Sequence, residues 1–195
     1  MPLLSKTEEN NATILIWELT ESIQELEKIS SFSNTSHLHS EKRKKEFICS
    51  RLLLKEYNSD LQISYTENGS PILSNEEFIS ISHSANLIVI TVSKKNIGVD
   101  IQEITEKPKK LFSKFGNSHH TDLSKEKCTL IWSIKESVFK YHKIGNVDFR
   151  KDIYIPSFME KEKGKLEITF NNKVTLSAFY KRINNYYLSY VCNFK

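Results

Sequence analysis

A chain of 195 residues with 38% hydrophobic and 11% aromatic content can bury one sizeable core or two small ones, which excludes a fibrous or disordered polymer. Its 28 Lys and Arg against 24 Asp and Glu leave a net charge of +4, enough to favour an anionic ligand and too little for a dedicated nucleic-acid binder. Cys49, Cys128 and Cys192 lie far apart with no CxxC pair or matching His spacing, so neither a disulfide framework nor a zinc site is indicated and a reducing cytoplasm is expected. The start of the chain lacks the basic and apolar regions of a signal peptide. No run approaches the roughly 18 apolar residues of a membrane span, so neither export nor anchoring is expected.

In chain order, alternating apolar residues predict a first strand over 13–19 and a helix over 21–29. Residues 40–57, SEKRKKEFICSRLLLKEY, predict a long helix capped by Ser40. Phe47, Leu54 and their neighbours form its apolar face, while Lys42, Arg43, Lys44, Lys45, Arg51 and Lys55 occupy the rest. Asn68-Gly69-Ser70-Pro71 reads as a turn. Strands are expected over 78–81 and 87–92, with Lys94-Lys95-Asn96 as a hairpin turn into a strand over 97–101. The stretch 106–124, with Pro108, Gly116 and His119-His120 among polar residues, reads as a mobile loop. A helix over 123–142 follows, and strands over 165–170, 174–181 and 186–193 close the chain.

Chemistry enters at Ile97-Gly98-Val99-Asp100-Ile101. Strand alternation turns Ile97, Val99 and Ile101 to a core and Gly98, Asp100 and Gln102 to the other face, with Asp100 and Gln102 roughly 7 Å apart. Gly98 leaves room there for something to approach the backbone. By itself this face reads as a solvated strand face with a chance Gly. On the helix WSIKESVFK, residues 132–140, Ile131, Ile134, Val138 and Tyr141 form the buried stripe, while Glu136 and Lys140 share another face. Alone, that pair is a surface ion pair worth about 0.2–0.5 kcal/mol. Together, Asp100 and Glu136 can converge as hard oxygen ligands for Mg²⁺, which takes one or two carboxylates and leaves its other places to water and phosphate.

The strings IGVD (97–100) and WSIKESVFK (132–140) resemble the two signature motifs of the 4′-phosphopantetheinyl transferases, (V/I)G(V/I)D and (F/W)xxKE(S/A)xxK. NGSP at 68–71 and SISHS at 80–84 are similar to two further family motifs in the same order, and Arg51 sits where the family commonly carries an arginine before an aliphatic run. The resemblance covers about residues 40–155 and is closest to the longer, monomeric surfactin-synthetase-activator type. It implies an α+β fold of two pseudo-symmetric α/β halves with the active site in the cleft between them. Residues 1–95 would form the coenzyme A-binding half, and 96–195 the half with the metal and the catalytic helix.

The resemblance further implies transfer of the phosphopantetheine arm of coenzyme A to a serine of an apo acyl or peptidyl carrier protein. Asp100, Glu136 and Lys140 would be catalytic; Asp100 and Glu136, with Gln102, would hold Mg²⁺ or Mn²⁺. Either Glu136 or a water on the metal would take the serine proton. Arg51, Ser82, His83, Lys44 and Lys140 would bind coenzyme A. Read without the motif, His83 is a neutral core histidine and Arg43-Lys44-Lys45 a solvated helix face. Lys135, about 100° around the helix from Glu136, is expected to be structural. Two departures stand out: Gln102 replaces a second acid common in the longer type, and Ser70 replaces a basic residue. The stretch 106–124 also lacks the family's usual segment. They motivate an alternative in which the protein binds coenzyme A or a carrier protein without turnover. Nucleic-acid binding by the basic helix is disfavoured by the low net charge and the paired carboxylates.

Overall fold

The computed structural model describes residues 3–30, 35 and 38–193. It has an α+β fold that divides into two compact units, Met1–Lys94 and Lys95–Lys195. In each, a long helix lies on an antiparallel sheet.

The first unit opens with strand β1 (Leu3–Glu9), which pairs with β2 (Ala12–Glu18) around Asn10 and Asn11, both at positive φ. The sequence reading missed β1. As an edge strand it half-buries only alternate residues and turns Leu4, Lys6 and Glu8 outward, so its apolar signal is weak. Helix α1 (Ile23–Ile29) starts at a capping box: the Ser22 amide donates to the Glu25 carboxylate at 2.8 Å, and the Glu25 amide donates to the Ser22 hydroxyl at 3.3 Å.

Helix α2 (Glu41–Tyr57) buries Ile48, Cys49, Leu52, Leu53 and Leu54. Ser40 stands at its N-cap position, but its side chain makes no capping bond, contrary to expectation. Strands β3 (Ile63–Tyr65) and β4 (Pro71–Leu73) form a small hairpin, with Gly69 at φ +76° in its turn. Strands β5 (Phe78–Ser84) and β6 (Leu87–Ser93) extend beyond their predicted ends. The sheet order is β1-β2-β6-β5, and its core includes Trp17, Leu26, Ile48, Leu53, Ile79 and Ile90.

Lys94-Lys95-Asn96 is not a hairpin turn. Both edges of β6 are already occupied, by β2 and β5, so the next strand has no edge to join and enters another sheet.

The second unit begins with β7 (Ile97–Glu103), followed by short helices α3 (Glu106–Lys110) and α4 (Phe112–Phe115) and the long helix α5 (Lys125–His142). Strands β8 (Ile153–Tyr154), β9 (Lys163–Phe170), β10 (Val174–Ile183) and β11 (Tyr186–Cys192) complete a sheet of order β7-β11-β10-β9-β8. Asn171, Asn172 and Asn184 adopt positive φ at its hairpin turns, a conformation asparagine tolerates better than most residues. Helix α5 packs on β7 and β11, with Ile131, Ile134, Val138, Ile168, Leu176 and Val191 in the core.

The stretch expected to be a mobile loop is folded. Phe112 and Phe115 are buried edge to face, 5.2 Å between ring centres. The buried Asn117 amide donates to the carbonyls of Arg150 and Ile153 at 3.0 and 3.2 Å, and its Oδ1 accepts from the Ile155 amide. Helices of five and four residues are too short to show a periodic pattern, which is why they were invisible in the sequence.

Lys135 ties this stretch to α5. Its side chain is 0% exposed, and Nζ donates to the carbonyls of Phe149 and Ile153, each at 2.6 Å, and to Asn117 Oδ1 at 3.1 Å. Burial pulls its pKa down to about 7. Lys135→Met fills the same space but removes the donor of the part-buried Phe149 carbonyl and the second donor of the Ile153 carbonyl and of Asn117 Oδ1, and is expected to cost about 1–3 kcal/mol of stability in urea unfolding. An unchanged midpoint would show the network to be dispensable.

Candidate functional site

The site in the second unit is built by how closely α5 approaches the sheet. A Cβ placed on Gly98 would lie 2.0 Å from the Ser137 carbonyl oxygen and 2.4 Å from the Tyr141 amide nitrogen. The face of β7 expected to admit a ligand at Gly98 is instead covered by helix backbone. Small buried serines allow the same approach beside it: Ser137 Oγ donates to the Ser133 and Ser189 carbonyls at 3.0 Å, and the Ser133 and Ser189 hydroxyls meet at 2.8 Å.

Two residues beyond Gly98, the carboxylate of Asp100 meets the same helix. Asp100 is 4% exposed, and Lys140 Nζ lies 2.7 Å from its Oδ1. Glu136, one turn before Lys140, belongs to the same cluster. Burial pushes its carboxyl up to about 7, the neighbouring Asp100 charge adds to the rise, and Lys140 opposes it. The supposed surface pair of Glu136 and Lys140 is therefore half-buried and grouped with the buried Asp100. Gln102, half-buried on the same strand face, contributes an amide rather than a charge.

Among the described residues no group of three His, Cys, Asp or Glu side chains is arranged to hold a metal. Two carboxylates close enough to repel each other, with a neutral amide nearby, nevertheless fit Mg²⁺ or Mn²⁺, which take few protein oxygens when phosphate supplies the rest. A cation there would relieve the repulsion that raises Glu136.

The raised Glu136 carboxyl sets a pH dependence. Between its ordinary value of 4.5 and about 7, the folded protein keeps a proton that the unfolded chain has released. Glu136's own contribution to the stability of metal-free protein is therefore expected to fall as pH rises through this window, against the opposite contributions of His120 and Lys135, whose lowered pKa values favour the folded state as pH rises. In Glu136→Gln that contribution is lost, so the variant should gain on the native protein as pH rises, by on the order of 2 kcal/mol at pH 8. Urea midpoints between pH 4.5 and 8 in the presence of a chelator measure this; equal slopes in the two proteins would contradict it.

The first unit contains a pocket of about 430 Å³ whose lining includes Arg43, Glu46, Phe47, Arg51, Tyr65 and His83. Arg43, Glu46, Phe47 and Arg51 recur at helical spacing on one face of α2, a pattern legible in the sequence. The Arg51 guanidinium sits 3.3 Å over the Phe47 ring and donates to the Phe47 and Ile63 carbonyls at 3.2 and 3.4 Å. Burial lowers its pKa from the ordinary arginine value, with Tyr65 opposing. His83 is 39% exposed, so it is not a core histidine, and its Nδ1 lies 3.1 Å from Glu46 Oε1.

Arg51 and His83, both expected to bind coenzyme A, thus share one pocket. Ser82 does not line it, because adjacent residues of a strand point to opposite faces; Ser82 is buried instead. Lys44 is also absent from the lining, and Arg43 takes that place one helical step away. Glu46 and Tyr65 were not anticipated.

Residues 96–192 match the family model described as the 4′-phosphopantetheinyl transferase superfamily. The second unit, from β7 to β11 and including Asp100, Glu136 and Lys140, therefore carries a domain of that superfamily. No curated protein is a significant match to the chain.

Proposed function

We propose that the chain is a 4′-phosphopantetheinyl transferase of the longer, monomeric type, using Mg²⁺ or Mn²⁺ to move the phosphopantetheine arm of coenzyme A onto a serine of an apo acyl or peptidyl carrier protein. The observation that carries this reading is the cluster of the buried Asp100 with the half-buried Lys140 and Glu136 within the matched domain.

In the reaction, the serine oxygen forms a bond to the phosphorus bearing the pantetheine arm. The bond from that phosphorus to the bridging oxygen breaks, and adenosine 3′,5′-bisphosphate leaves. Either Glu136 or a water on the metal would accept the serine proton; Glu136 stands beside Asp100 and Lys140 with its carboxyl raised in the metal-free protein. Lys140 supplies positive charge to the diphosphate, and Asp100 holds the Lys140 ammonium in place. Asp100 and Glu136, with Gln102 nearby, would hold the divalent ion, which when bound neutralises charge on the phosphate oxygens.

The pocket of the first unit is assigned to the anionic nucleotide part of coenzyme A, with Arg51, Arg43 and His83 as its cations. Arg43→Ala is expected to weaken coenzyme A binding about tenfold in calorimetry with little effect on stability, since Arg43 is exposed. Equal affinity would remove Arg43 from the site.

The reading is tested by incubating the protein with coenzyme A, Mg²⁺ and a panel of apo carrier proteins and weighing the products. A mass gain of one phosphopantetheine on a carrier protein is expected. No adduct on any of them, despite tight coenzyme A binding, would favour the alternative motivated by Gln102 and Ser70, a protein that binds without turnover. No helix among the described residues is long and apolar enough to cross a membrane, and Cys49, Cys128 and Cys192 are all free and buried.

A further inference from the structure

An acidic side chain in a pocket read as an anion site calls for an explanation. Glu46 is only 8% exposed and sits in the lining with Arg43, Arg51 and His83. By itself its charge would repel a phosphate. Its surroundings are cationic: Oε1 lies 3.1 Å from His83 Nδ1 and 3.9 Å from Lys42 Nζ, and Oε2 lies 4.0 Å from Arg43 Nε. The shortest of these contacts links helix α2 to strand β5, whereas the other two are local pairs along α2.

We propose that Glu46 is a positioning residue of this pocket, its charge holding the His83 ring in its charged form for an anion bound there. The ligand's identity as coenzyme A rests on the transferase reading above; the pairing itself does not. The charged and titratable groups that line the pocket with His83 are Glu46, Arg43 and Arg51 from α2 and Tyr65 from β3, with Lys42 3.9 Å from Glu46. The two arginines disfavour a charged imidazole, whereas the carboxylate at 3.1 Å favours it. With His83 charged, the lining carries three cations against one carboxylate, and an anion gains a further partner. Glu46 thus acts on the anion through His83.

The test uses the full chain with Glu46→Gln, which keeps the shape and loses the charge, and Glu46→Asp, which keeps the charge. The ring resonances of His83, assigned with His83→Gln, are followed by NMR against pH, and coenzyme A binding is measured calorimetrically between pH 5.5 and 8. In Glu46→Gln the His83 midpoint is expected to move down by about half a unit or more. The fall in coenzyme A affinity with rising pH should move down with it, leaving binding about fivefold weaker near pH 6.5. Glu46→Asp should recover most of both effects. A His83 midpoint unchanged in Glu46→Gln, or Asp and Gln variants that behave alike, would overturn the inference. Failure of the native protein to bind coenzyme A would instead remove the transferase reading, while the His83 titration would still decide the role of Glu46.

Discussion

Asp100→Asn and Glu136→Gln are each expected to lower the rate of carrier-protein loading by about 100- to 1,000-fold, with the fold intact. Asn is the informative replacement at position 100. It keeps the volume of a nearly buried side chain and an oxygen for Lys140 to donate to, whereas Ala would leave a cavity and strip the ammonium of its 2.7 Å partner. The change would also relieve the repulsion that raises Glu136, leaving that carboxyl more ionised at neutral pH. A loss of rate in Asp100→Asn therefore cannot be blamed on a protonated Glu136. If the two carboxylates act as one charge cluster, the double variant should be little worse than either single one. Single-turnover formation of the adduct, followed by mass, reads all three. Near-native rates in both single variants would reject the assignment.

Gly98→Ala is expected to cost more than about 3 kcal/mol, or to prevent folding of the second unit altogether. The added methyl would meet the Ser137 carbonyl and the Tyr141 amide nitrogen and Cα at 2.0, 2.4 and 2.9 Å. All three are backbone atoms, which cannot swing aside as a side chain can. Helix α5 would have to withdraw from β7 by about 1 Å or more to reach even a tight contact. Asp100 rides on β7, and Glu136 and Lys140 ride on α5, so the same withdrawal would pull the ion pair apart. Any folded Gly98→Ala protein should thus lose loading activity as well as stability. Thermal unfolding and the loading assay measure the two losses; a native midpoint together with a native rate would show that α5 can yield.

Gly98 also illustrates what was legible in the sequence. Its spacing from Asp100 and the Glu136-to-Lys140 interval were both visible, and they pointed to one cluster. The reason for the glycine was not visible, because a missing Cβ looks the same whether a ligand or a helix fills the space. Similarly, the motifs group Ser82 and Lys44 with Arg51 and His83, but of the four only Arg51 and His83 line the pocket. A motif groups neighbours in the chain, whereas a strand or helix sends those neighbours to different faces. Glu46 escaped attention because a glutamate among four cations in a row of charges reads as solvated until burial singles it out.

Periodicity in the chain by itself determined the long helices, most of the strands and the presence of two carboxylates on elements able to meet, since these depend on local alternation and spacing. Only the tertiary structure decided that 94–96 links two sheets rather than turning a hairpin, that 106–124 is pinned by Asn117 and Lys135, and that Lys140 is held by Asp100. Those outcomes depend on which strand edges are already taken and which backbones approach closely, contacts between residues tens of positions apart that no local pattern encodes.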